Sequence, residues 1–344
     1  MLPNRTGALA LCVLVIQNTS LVIMLKLSFR PGAQAYSTST VVLTAETAKF
    51  IISAVVCSRY SRWHVFEATT SLSRRIVIFL PSLLYVIQNN LLIYGSRHLT
   101  PLVFATCSQT KIFTTALASR CILGTRQSYI QHTALIFLVL GVVILQDSVE
   151  TQVRNSSPTY QAFATESLGI LSVLFASVLS GVAGVTLEKI YKSKTLVEGC
   201  EENEVPSVWS RNLQLSMISI PFAAIGVYVG DRNQIMEKGF FSGYDSIVYL
   251  VVALSACGGI IIAFIMKYAN NILKCLAIAI SVCFCGMFSV FSGEISASFT
   301  TIAGMVVAVS SVCVYILCPI TLDGEKPHTE LKELQRKSSM TSRP

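Results

Sequence analysis

The feature that most constrains this chain is a succession of long apolar segments separated by short polar ones. A helix that spans a bilayer needs about 20 mostly apolar residues, and lipid leaves no solvent for an unpaired backbone. The segments lack the alternation of a barrel strand. The sequence therefore predicts an all-α polytopic membrane protein with about ten transmembrane helices. The segments are residues 7–27, 37–58, 74–95, 99–120, 130–146, 167–190, 211–230, 247–266, 273–292 and 299–320.

The charges agree with this class and predict an orientation. Of the 344 residues, 53% are hydrophobic and 13% are charged, about half the charged fraction of a soluble domain. The connections on the side of the two termini hold 18 Lys and Arg residues, and those on the other side hold 6. Because basic loops remain cytosolic, both termini are predicted to be cytosolic. Basic residues without interleaved aromatics do not indicate nucleic-acid binding.

Polar stretches divide the chain into parts. Residues 1–190 are predicted to form one continuous membrane domain, with the first five-helix half and the sixth helix. Residues 191–210 are a cytosolic connecting loop, 211–320 hold the remaining helices, and 321–344 form a flexible cytosolic tail. Five helices in each half would invert the second half relative to the first. Inverted repeats place a substrate site near the midplane, at the interface of the halves.

Basic residues within or beside the apolar segments are the first candidates for a site. Lys111 lies in the middle of the fourth segment, where an ionisable side chain needs a cavity or a partner. It is interpreted as an anion contact, most simply to phosphate, with an internal ion pair as the alternative. Lys267 and Lys274 are seven residues apart and can share a helix face. Lys274 would lie near a helix start, where free N–H groups favour anions, whereas Lys267 fits a basic flank equally well.

Two carboxylates near basic residues complete the charged set. Glu46 and Lys49 are three residues apart on the second segment and can pair on one helix face. A structural ion pair is the favoured interpretation, and a gating or coupling role is the alternative. Glu188, at the cytosolic end of the sixth segment, is expected to pair with groups of the following loop.

Several uncharged polar residues could form hydrogen bonds with a bound nucleoside. Tyr85 and Asn89 lie four residues apart on the third segment and share a face. Asn212 opens the seventh segment, and Ser180 lies in the sixth, beside Gly181. Hydrogen bonds between helices would explain such residues, as would donors and acceptors for a bound ligand.

The residues alone thus indicate a membrane carrier for a small, anionic, phosphorylated solute. The sequence contains no nucleotide-hydrolysis motif, and none of the 4 His residues lies in the middle of an apolar segment. An enzyme is therefore not expected, nor are a catalytic residue, a metal site or a cofactor. A carrier of another solute and a regulatory homologue remain the rival interpretations.

The same segments resemble the nucleotide-sugar transporters of the drug/metabolite transporter superfamily, from about residue 10 to 320. Each motif is weak alone, but eight occur in order with the right spacing. They are LVIQNTSL (14–21), AETAK (45–49), PSLLYVIQNNLL (81–92), QTKI (109–112), GVAGVTLEKI (181–190), VWSRNLQL (208–215), GFFSGY (239–244) and KYANNILK (267–274).

The resemblance implies a Golgi membrane protein, with the ER as the alternative, that exchanges a nucleotide sugar for a nucleoside monophosphate. The branch it resembles carries UDP-galactose, UDP-N-acetylglucosamine and CMP-sialic acid. By motif, Lys111 and Lys274 would contact phosphate, while Tyr85, Asn89, Ser180 and Asn212 would line the base and ribose pocket. Lys267 and Asn271, in the KYANNILK segment, complete the candidate set. The oligomeric state is left open, a homodimer included.

Departures from the family pattern bear on the base. Members that carry CMP-sialic acid have Tyr at the position of Ser216, whereas UDP-sugar members have a small residue. Ser216 and the LVIQNTSL segment therefore favour UDP-N-acetylglucosamine or UDP-galactose, with UMP as the exchanged nucleotide and CMP-sialic acid with CMP as the alternative. Asn270 stands where the family often has Asp, and Ser108 where Tyr is common.

Overall fold

A computed structural model describes residues 5–59 except 31, 33 and 35, then 72–99, 101–125, 127–153, 163–192, 204–293 and 298–318. These residues form eleven α-helices and no strand. Each predicted apolar segment coincides with one long helix, and α8 is short. The helices are α1 (Arg5–Ser28), α2 (Thr38–Arg59), α3 (Leu72–His98), α4 (Pro101–Leu123), α5 (Tyr129–Val153), α6 (Phe163–Lys192), α7 (Glu204–Gly230), α8 (Arg232–Lys238), α9 (Ser246–Tyr268), α10 (Asn271–Phe291) and α11 (Phe299–Leu317).

The membrane class is confirmed by helix length and composition. Within the described residues, seven helices are long and apolar enough to cross a membrane: α1, α2, α6, α7, α9, α10 and α11. Large apolar side chains on outward faces, such as Leu117 and Phe175, are more than half exposed, which suits contact with lipid. The chain is a multi-pass helical membrane protein. The count of ten spans, the inversion of the halves and the cytosolic termini stay predictions.

The two helices beside the predicted connecting loop extend into it from both ends. The connecting loop was expected over 191–210, but α6 continues to Lys192 and α7 begins at Glu204. Pro206 does not prevent this early start, because the first helical turn does not need its N–H groups. The predicted tail, 321–344, lies outside the described residues.

Helices pack in pairs that join the two parts of the chain. α5 packs along α11 and α2 along α7, while α6 packs on α3 and α4, and α1 packs on α9 and α10. Small residues allow the closest approach. A Cβ on Gly141 would lie 2.6 Å from the backbone N of Ala308, and one on Gly304 would lie 2.7 Å from that of Leu145. The backbones of α5 and α11 are therefore in direct contact, as in other helix pairs within lipid.

Polar contacts tie the helices at one end, which we call the α1–α2 end. There Arg30 pairs with Asp245 at 3.0 Å, and the Ser37 hydroxyl donates to the Asp231 carboxylate. Tyr244 donates to Thr40 at 3.0 Å. These bonds link the α1–α2 connection to the connections on either side of α8. We call the other end, where α6 and α9 end and α10 begins, the α9–α10 end.

Candidate functional site

The two lysines singled out in the sequence lie on helices that face each other. Lys111 lies midway along α4, and Lys274 is the fourth residue of α10. The side chain of Asn270 caps α10 by accepting from the N–H of Leu273 at 2.8 Å. A contact of 3.9 Å between Thr115 Oγ and Cys275 Sγ joins α4 to α10 beside both lysines.

The environment of Lys111 and Lys274 is enclosed but leaves both side chains partly exposed. The two ammonium groups lie within electrostatic range of each other and of Cys275. Both are surrounded by protein, yet both side chains keep partial solvent exposure. The ion pairs of the described residues are Arg30–Asp245, Glu46–Lys49 and Glu188–Lys192, so neither lysine has a carboxylate partner there. Lys274 does lie within electrostatic range of the Glu188 carboxylate, but the two oxygens of that carboxylate bond to Lys192 and to the Asn271 N–H. Two cations without a direct ion pair among the described residues suit a dianionic ligand.

Tyr85 joins the same region from α3. Its ring packs against the buried cluster of Leu187, Tyr191, Val208, Ala263 and Met266. Its hydroxyl lies within electrostatic range of Cys275. Tyr85, Lys111 and Lys274 therefore each lie within electrostatic range of Cys275, and we call these three residues the candidate anion site.

The other proposed nucleoside contacts differ in their surroundings. Asn212 is buried, and its side-chain amide donates to Ser53 Oγ at 2.8 Å. This bond joins α7 to α2, as the interhelical interpretation expects. Ser180 is partly buried on α6, beside Gly181, which packs directly on the α4 backbone at Thr114. Asn89 lies on α3, but its side chain is outside the described residues.

Lys267 and Asn271 flank the turn between α9 and α10. The Lys267 ammonium lies 5.8 Å from the centre of the Tyr268 ring, an arrangement with some cation–π attraction. The Asn271 side chain is buried against Gly184. Its Oδ1 is buried and has no hydrogen-bond partner among the described residues.

Glu46 and Lys49 form an ion pair of 2.7 Å on α2, as their spacing indicates. The Lys49 chain crosses the face of Gly259, where a Cβ would lie 2.4 Å from Lys49 Cδ. The second oxygen of Glu46 is buried without a partner in the described residues. Gly259 therefore provides the space in which α9 accepts this pair.

Two features were not found from the sequence. Cys275, which lies within electrostatic range of all three residues of the candidate anion site, carried no signal beyond lying next to Lys274. Glu188 pairs with Lys192, a residue of the predicted loop 191–210, as expected, but its bond to the backbone N–H of Asn271 was not predicted. The four-residue spacing to Lys192 agrees with the first contact, whereas the second joins residues 83 positions apart.

Comparison with known proteins decides the family. A family model described as nucleotide-sugar transporter matches residues 4–316. The chain belongs to the nucleotide-sugar transporter family. This nucleotide-sugar transporter is therefore a transport protein, not an enzyme, as the sequence predicted.

Curated relatives cover most of the chain. The UDP-N-acetylglucosamine transporter of Mus musculus is 34% identical over 293 residues, which cover 82% of this chain and 86% of that protein. The UDP-N-acetylglucosamine/UDP-N-acetylgalactosamine transporter nstp-4 of Caenorhabditis elegans is 31% identical, over 89% of this chain and 92% of that one. The UDP-galactose transporter of Schizosaccharomyces pombe is 32% identical, over 89% and 86%.

One solved crystal structure shares the fold. It superposes with a TM-score of 0.65, covers 90% of this chain and 98% of its own, and is 13% identical in sequence. At that identity the likeness concerns the fold alone.

Proposed function

We propose that this transporter imports a UDP-sugar, either UDP-N-acetylglucosamine or UDP-galactose, into the lumen of the Golgi or the ER in exchange for UMP. The observation that carries the proposal is the meeting of Lys111 and Lys274, two enclosed cations that form no direct ion pair among the described residues. A diphosphate neutralises both charges at once. The relatives described above transport UDP-sugars, which supports uridine over cytidine.

Ten spans in two inverted five-helix halves, with both termini cytosolic, belong to the same proposal. The pattern of helix contacts supports two related halves. When each helix is replaced by the helix at the same position in the other half, most packed helix pairs become packed pairs again. Packing of α6 on α3 and α4 corresponds to packing of α1 on α9 and α10, and the pairs α5–α11 and α2–α7 map onto themselves. The two lysines then lie on equivalent helices, the fourth of each half. Alternating access would follow from one half rocking on the other around the fixed site.

The same charges favour exchange of one nucleotide for another over reorientation of the empty carrier. Closing an empty site around two cations would leave them desolvated without a partner, which costs several kcal/mol for each ion. A bound nucleotide removes that cost. We therefore propose that the loaded carrier reorients much faster than the empty one.

The test is counterflow in proteoliposomes. Vesicles that contain the purified protein are loaded with UMP, CMP, GMP, AMP or buffer, and uptake of labelled UDP-N-acetylglucosamine and UDP-galactose is measured. The expected result is rapid uptake only into vesicles loaded with UMP. Equal uptake into empty vesicles would contradict exchange, and a preference for CMP would point to CMP-sialic acid. No response to any nucleotide would make another solute the leading candidate.

A further inference from the structure

Glu188 is a buried carboxylate near the end of α6, outside the candidate anion site. The residue is 2% exposed. One oxygen accepts from the Lys192 ammonium at 2.6 Å, a contact within α6. The other accepts from the backbone N–H of Asn271 at 2.8 Å. Glu188 therefore bonds to the first residue of a helix that lies 83 positions away in the sequence.

The acceptor position explains why this bond is strong. Asn271 is the first residue of α10, and the first N–H groups of a helix have no acceptor within it. A carboxylate at this point gains from the hydrogen bond and from the positive end of the helix dipole. Removing one partner of a buried charge leaves the other uncompensated, which is strongly unfavourable.

The same place is where α6 and α10 come closest. A Cβ on Gly184, one turn before Glu188, would lie 2.3 Å from the Asn271 side chain. The cluster of Leu187, Tyr191, Val208, Ala263 and Met266 fills the space beside it. These residues come from α6, α7 and α9, so packing at the α9–α10 end is continuous around the Glu188 carboxylate.

Two polar contacts join α4 and α6 to α10. They are the bonds Glu188–Asn271 and Thr115–Cys275, both on the first turns of α10. Toward its other end, α6 contacts α3 instead, with Gly169 against Leu99. α4 and α6 are thus joined to α10 by polar bonds on the α9–α10 side of the site.

We propose that Glu188 is a latch that keeps the transport path closed at the α9–α10 end by capping α10, and that this bond breaks whenever the path opens there. The latch is adjacent to the candidate anion site, because the Lys274 ammonium lies within electrostatic range of Glu188. The inference rests on the proposed function only in that transport requires such an opening. Glu188 acts by holding the first turn of α10 in place, and it does not contact the substrate.

Hydrogen–deuterium exchange of the full-length protein in lipid nanodiscs, without nucleotide, tests the latch. Peptides over 183–192 and 266–276 report on the latch, and a peptide over 246–256 reports on the other end of α9. In Glu188→Ala, amides of the two latch peptides are expected to exchange about tenfold faster or more, which is the loss of one charge-assisted bond. Glu188→Gln retains an acceptor for Asn271, so its increase is expected to be smaller. Glu237→Gln, which changes an exposed carboxylate on α8, is expected to match the wild type.

Two results would overturn the latch. One is unchanged exchange of peptide 266–276 in Glu188→Ala, and the other is an equal increase at both ends, which is what general destabilisation produces. Should Glu188→Ala fail to fold, Glu188→Gln provides the same comparison with a milder change. The measurement uses no nucleotide, so a wrong substrate assignment leaves its outcome unaffected. Failure of UMP counterflow with a confirmed latch would refute the proposed function alone.

Discussion

At the scale of single residues, the two lysines carry the proposed chemistry. Replacing Lys111 or Lys274 with Ala removes a charge-assisted contact to phosphate, which is worth about 1.5–3 kcal/mol. Binding of UMP is therefore expected to weaken by about tenfold to a hundredfold, measured by isothermal titration in detergent. Lys238→Ala is the matched control, because this lysine is exposed at the end of α8. Wild-type affinity in both site variants would contradict a phosphate role.

Asn212 allows a structural role to be separated from a binding role. Its amide donates to the fully buried Ser53, so Asn212→Ala and Ser53→Ala each leave one buried group unpaired, at a cost of about 1–3 kcal/mol. Both variants are expected to lower the thermal unfolding temperature by similar amounts. If Asn212 also contacts the nucleotide, only Asn212→Ala reduces the additional stabilisation that saturating UMP gives.

Equal loss of the UMP effect in both variants would assign Asn212 to helix packing alone. In that case Asn212 positions α7 against α2, and other side chains contact the base.

At the scale of elements, glycines set how closely the helices approach. Gly141→Ala would place a Cβ 2.6 Å from the α11 backbone, which forces α5 and α11 apart. Overpacking of this kind costs about 1–3 kcal/mol, so the unfolding temperature is expected to fall. Gly226→Ala on α7 is the control, because a Cβ there meets nothing within 4 Å. That control is expected to be stabilised by about 0.5–1 kcal/mol from helix propensity. A Gly141→Ala protein as stable as Gly226→Ala would contradict the close contact.

At the scale of the whole molecule, the α1–α2 end is tied by bonds to Asp231 and Asp245. The hydrogen bond from the Ser37 hydroxyl holds the pKa of Asp231 below its usual range. The backbone N–H of Val248, with Arg30, does the same for the pKa of Asp245. A carboxylate whose pKa is lowered by folding stabilises the fold above its unfolded pKa, about 3.9, and loses that effect as pH falls through the folded pKa.

This tether is therefore expected to persist in a mildly acidic compartment. The difference in unfolding temperature between wild type and Ser37→Ala should stay constant from pH 7.5 to 5.5 and shrink only below about pH 4. Thermal unfolding across that pH range provides the measurement. A difference that disappears by pH 5.5 would mean that Asp231 is protonated there, contrary to the lowered pKa.

The sequence by itself determined the class of this protein. Long apolar segments can bury their backbone in lipid only as helices, so the positions of the long helices could be predicted, with limits up to seven residues from those of the structure. The charge of Lys111 in such a segment predicted a cavity or a partner, because lipid does not tolerate an isolated ammonium group. The spacing of Glu46 and Lys49 was enough to predict their ion pair, because both lie on one helix face.

Tertiary structure alone decided which of these residues meet. Packing of α4 against α10 placed Lys111 beside Lys274 and Cys275, while Asn212 went to Ser53 on another helix. Glu188 reached Asn271 across two parts of the chain. The physical reason is that helix periodicity fixes which residues share a face, but not which helix that face will meet. Side-chain volume at positions such as Gly184 and Gly141 settles that choice, because only the right partner fits at such short range.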